Sequence, residues 1–70
     1  MDDNIFAATL SHLDVAIGLR RASLIIMSEL EENDYTGDTR DALIGAAERI
    51  NDTAREREAE ARILGQLTDE

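Results

Sequence analysis

The only histidine is the first residue to weigh for chemistry. His12 follows Ser11 and stands two before Asp14, the residue types of a nucleophile, a base and an orienting carboxylate. Their spacing defeats that reading. On a helix successive residues diverge by ~100°, so neither Ser11 nor Asp14 shares a face with His12. Cysteine is absent, which removes thiolate nucleophiles, thiolate metal sites and disulfides. One histidine cannot hold zinc without carboxylates or a second chain. The expectation is a non-enzymatic protein with no catalytic residues, no cofactor, no metal and no small-molecule substrate.

Carboxylates are the next candidates. Glu29, Glu31, Glu32, Asp34, Asp38 and Asp41 gather in one stretch, with Arg40 the nearby cation. Counted from Glu32, the string faintly resembles a calcium loop, with Asp34, Thr36 and Gly37 at the third, fifth and sixth places. Such a loop opens on Asp and closes on a bidentate Glu at its twelfth place. Here Glu32 opens it and the twelfth place is Leu43. The cluster is better read as an acidic patch that faces a partner, around a turn in which Gly37 supplies a left-handed conformation.

These groups must be positioned by helices. The chain has 70 residues, no proline, and abundant Ala, Leu, Glu and Arg, a composition that favours helix. The run Asn33-Asp34-Tyr35-Thr36-Gly37-Asp38-Thr39 holds the turn-forming residues. The pattern predicts one domain over 1–70: a helix over about 4–33, a turn over about 34–38 and a second helix over about 39–67. A possible interruption of the first helix falls near Thr9–Ser11, where Ser11 and Asp14 have a capping-box spacing.

The first helix carries two apolar stripes. Phe6, Leu10, Leu13, Ile17, Leu24 and Met27 follow alternating steps of four and three, with Arg20 in the gap. That is a heptad seam. Val15, Leu19, Ala22, Ile26 and Leu30 form the second stripe. The second helix offers a thin heptad seam of Leu43, Ala47, Ile50, Ala54, Arg57, Ala61 and Leu64. The heptad stripe of Phe6, Leu10, Leu13, Ile17, Leu24 and Met27 is expected to pack on that seam within the chain. The stripe of Val15 to Leu30 is then left for self-association. Gly18 and Gly45 suggest close helix crossings.

The fold expected is all-α: an antiparallel two-helix hairpin that dimerises into a four-helix bundle. Two helices cannot enclose much core, and below ~70–80 residues a core alone rarely supplies more than ~3–5 kcal/mol. With other staples missing, a homo-oligomer, most simply a dimer, is the expected remedy. Arg20 and Arg57 occupy seam positions, and a buried Arg needs a carboxylate. With the turn near residue 36, the natural pairs are Arg20 with Asp52 and Arg57 with Asp14.

Sixteen acidic residues against seven basic ones give a net charge of −9. That sign opposes direct binding to nucleic acid and to anionic membranes. It suits a basic protein partner, and the chain is expected in the cytoplasm. A second possibility uses the same charge: an acidic nucleic-acid mimic, such as a phage inhibitor of a CRISPR complex, that blocks a cationic surface. In size and helical pattern the chain resembles the many very short two-helix proteins of bacterial and phage genomes. That likeness carries no specific motif and no site residue.

Overall fold

The computed structural model describes residues 3–68, which form two long helices, α1 (Asp3–Glu32) and α2 (Gly37–Thr68). They pack side by side as an antiparallel hairpin measuring 51 × 15 × 13 Å. Among the described residues no strand occurs, and neither helix is long and apolar enough to cross a membrane. α1 runs unbroken through Thr9–Ser11. Thr9 does not cap a new helix there; its hydroxyl donates to the carbonyl of Ile5, 2.8 Å away.

The turn is short because each end is capped by local bonds. The Asn33 backbone N–H and its Nδ2 both donate to the carbonyl of Glu29, at 3.1 and 3.2 Å, and close α1. α2 starts at Gly37, two residues before the expected Thr39, and the carbonyl of Thr36 accepts from Arg40 N at 3.5 Å. Gly37 has φ +59°. A side chain there would meet nothing within 4 Å, so glycine is required by backbone conformation alone.

One heptad position holds nearly all the burial. With letters assigned so that Ala16 and Ala54 are a, the buried residues are Ala16, Ser23 and Leu30 on α1 and Ala47, Ala54 and Ala61 on α2. All six are a positions, and five of them are small. The d positions, Ile5, His12, Leu19 and Ile26 against Leu43, Ile50, Arg57 and Leu64, are half-buried. Ser23 Oγ lies 3.5 Å from the carbonyl of Ala47, and His12 meets Arg57. Steps of seven from these contacts set Ala16 beside Ala54 and Leu19 beside Ile50.

This geometry reverses the expected roles of the two α1 stripes. Phe6, Leu10, Leu13, Ile17, Leu24 and Met27, expected inside, are each at least 40% exposed. Leu30, expected at a self-association face, is buried, and Leu19, Ala22 and Ile26 are half-buried on the α2 side. Val15 is exposed at the edge of that face. The cause is steric. Interhelical distances near the low end of 8–10 Å need small residues at the crossing. Ala16 and Ser23 supply them; the Phe6 stripe has none, so it would hold the helices apart. The glycines do not mark crossings either. A Cβ on Gly18 would meet nothing within 4 Å, and one on Gly45 would make only an ordinary contact with Arg49.

Ala54 is 0% exposed, so Ala54→Leu must either separate the helices or distort the neighbouring rotamers. The expected loss is about 1–3 kcal/mol of unfolding free energy, as for other overpacked sites, measured by urea denaturation. An unchanged or raised stability would contradict the close approach of the helices.

Candidate interaction surface

Three features stand out on the surface: a polar pair in the seam, an ion pair at its edge, and an apolar stripe beside it. The seam pair joins Arg57 Nη1 to His12 Nδ1 at 3.2 Å. Arginine has no acceptor, so Nδ1 must present its lone pair and the ring proton must sit on Nε2. The expected pair of Arg57 with Asp14 does not form. His12 occupies the d position facing Arg57, whereas Asp14 lies two residues on, exposed on the outer side of α1. Ser11 is also exposed, and on the helix it points ~100° away from His12.

Arg20 also has a different partner from the one expected. Its Nη2 bonds Glu58 Oε1 at 2.6 Å, with both side chains about 40% exposed. Asp52, the expected partner, instead pairs with Arg55 one helical turn away. Arg20 and Glu58 both lie at e positions, which face each other across an antiparallel pair. Asp52 is an f position on the far side of α2, beyond the reach of Arg20.

The apolar stripe occupies the e and b positions of α1. Phe6, Leu13 and Met27 are at e, with Arg20 filling the fourth e place; Leu10, Ile17 and Leu24 are at b. Their exposures run from 40% at Leu13 to 66% at Leu24. The stripe extends over ~31 Å at 1.5 Å per residue. A shallow apolar depression lies on it, lined by Ala7, Leu10, Leu13 and Ile17 with Ser11 and Asp14 at the rim. The stripe expected from the heptad spacing is therefore present, beside the seam with α2 rather than in it.

At the turn end, Glu29, Glu31, Glu32, Asp34, Asp38 and Asp41 are all exposed. Asp38 sits in the first turn of α2, at the positive end of its dipole, where a carboxylate stabilises; Asp41 lies beyond that turn. Glu29, Glu31 and Glu32 sit at the negative end of α1, where they do not, and its last turn holds no base. Tyr35 folds back on this end, its hydroxyl donating to Glu29 Oε1 at 2.8 Å. That hydrogen bond, with desolvation and the charge of Glu29, raises the phenol above its ordinary value. Among the described residues no group of three or more His, Asp or Glu side chains is arranged to hold a metal ion.

No family model, no curated protein and no solved structure matches this chain. Its function must be argued from its own surfaces.

Two outcomes follow from this geometry. Polar residues at seam positions fix alignment at some loss of stability. The double variant His12→Leu with Arg57→Leu is therefore expected to gain about 1–2 kcal/mol in urea denaturation, and either single change less. A loss of stability in the double variant would contradict the assignment of the pair to the seam. Tyr35 is the sole tyrosine and tryptophan is absent, so absorbance follows its titration alone. A raised folded value stabilises the fold below the unfolded phenol pKa, and the effect is lost as pH rises through the folded one. Glu29→Gln should shift the midpoint down towards ~10. A midpoint unmoved by the substitution would show that the Glu29 contact is not maintained in solution.

Proposed function

We propose that this chain is a non-enzymatic interaction module that self-associates through the outer stripe of α1 and acts by binding another protein. The observation that carries this reading is the run of exposed Phe6, Leu10, Leu13, Ile17, Leu24 and Met27 along one helix face. Single exposed apolar residues are ordinary; a contiguous patch of several hundred Å² marks an interface.

The whole-chain dimensions support it. The radius of gyration is 15.9 Å, against about 11 Å for a compact domain of this length. The accessible surface is 5251 Å², where a monomer of 7.7 kDa typically exposes about 4,300 Å². The excess, on the order of 900 Å², is close to the ~800 Å² that each partner contributes to a standard interface. Two hairpins joined by their α1 stripes make a four-helix bundle with α1 at its centre. The acidic turn end stays outside, free to meet a basic protein surface.

A second reading rests on that turn end. Six exposed carboxylates, three of them set against the α1 dipole, make a one-signed surface of the kind that mimics nucleic acid and blocks a cationic channel. It differs from the first in its test, since a mimic displaces DNA from its target with strong salt dependence.

Light scattering after size exclusion, over a hundredfold concentration range, tests the first reading. The wild type should have twice the chain mass. Ile17→Asp, at an exposed site, should keep the helical circular dichroism and fall to the monomer mass. A variant that retained the dimer mass would remove the stripe from the interface.

A further inference from the structure

The self-association proposed above leaves open how the two copies are arranged, and charges beside the stripe decide it. We propose that two copies pair through α1 antiparallel, about a two-fold axis at residues 17–18, with Asp14 of each copy facing Arg21 of the other. This inference rests on the self-association reading and goes beyond it by assigning orientation, register and the residues that select them.

The stripe is nearly symmetric along the helix, its one mismatch being Leu13 opposite Arg20. Ile17 lies at its middle, with Leu10 and Leu24 seven residues to either side, and Phe6 and Met27 near the two ends. An antiparallel copy centred there sets Ile17 on its own equivalent, Leu10 on Leu24, and Phe6 on Met27. The hairpin already packs its helices this way, a positions opposite a and d opposite d. Each end of the stripe then meets an apolar partner, as an isologous interface requires.

Asp14 and Arg21 occupy successive f positions along one edge of this stripe. Both are exposed, and neither has an ion-pair partner among the described residues. Their midpoint falls between residues 17 and 18, half a residue from Ile17. An antiparallel copy therefore brings Asp14 to Arg21 twice, once on each side of the axis. A shift of one heptad in the antiparallel arrangement, centred on residue 21, would oppose Arg21 to itself, whereas a parallel copy would set the two f edges on opposite sides of the interface. The opposite shift of one heptad, centred on residue 14, would likewise oppose Asp14 to itself. The charges thus favour one arrangement and penalise its two nearest rivals. Arg20, the charge within the stripe, does not obstruct this pairing, because Glu58 of its own chain already neutralises it at 2.6 Å.

Charge reversal tests the arrangement. D14R and R21D lie outside the hairpin seam, so circular dichroism should be unchanged in both. Sedimentation equilibrium should show each single variant dissociating about tenfold more readily than the wild type, and D14R/R21D together restoring wild-type affinity. D14R is the sharper case, since it lowers the net charge and would strengthen association if only overall repulsion mattered. In native mass spectrometry an equimolar mixture of D14R and R21D chains should form heterodimer well above the statistical half, because both cross pairs are then attractive. A wild-type dimer whose affinity is indifferent to both reversals, or a statistical mixture, would overturn the antiparallel arrangement and leave self-association standing. A wild-type chain that stays monomeric throughout would overturn self-association itself.

Discussion

The close approach of two backbones at Ala16, Ser23, Ala47, Ala54 and Ala61 is the constraint on which the rest depends. A small residue at every seventh place lets the helices sit near contact distance. Each small residue buries little area, so the chain gains its closeness at the expense of apolar burial. The large side chains that would normally fill a core are displaced to the flanks. Half-buried leucines and isoleucines at d supply what core there is, and the largest apolar residues of α1 are left outside. The rod shape, the excess surface and the exposed stripe are consequences of one packing choice.

The same constraint explains the polar features. A thin seam provides little discrimination among alignments, because alanine against alanine fits equally well one heptad along. His12 with Arg57 supplies discrimination, since a slip would bury each without its partner. Arg20 with Glu58 repeats the device at the edge. Both pairs tie the N-terminal two-thirds of α1 to the charge-rich half of α2. The tight turn at Gly37 fixes the other end.

Much of this was legible in the sequence. Two helices, the turn between them and the α2 seam from Leu43 to Leu64 could all be read from periodicity and breakers, and the seam is where the structure places it. The misreading of α1 has a specific cause. Hydrophobic periodicity ranks faces by how apolar they are, and by that measure the Phe6–Met27 stripe wins. Burial in this hairpin ranks faces by how closely they can approach, and there the stripe with Ala16 and Ser23 wins. Those residues recur seven apart, as do Ala47, Ala54 and Ala61 opposite, and that shared small-residue repeat was the signal that could have found the true face. The ion pairs were misassigned for a related reason. Adding residue numbers across the turn locates a neighbourhood, but the heptad letter decides which side chains in it face each other.

The central claim is that α1 packs on α2 through the face that carries Ala16 and Ser23, and that the stripe from Phe6 to Met27 faces outward within each hairpin. Isotope-filtered NOE spectra of a mixture of labelled and unlabelled chains separate contacts within a chain from contacts between copies. The account expects the methyls of Ala47, Ala54 and Ala61 to see α1 of the same chain, and those of Leu10, Ile17 and Leu24 to see only the second copy. Contacts from Leu10, Ile17 and Leu24 to Ala54 within one chain would contradict it.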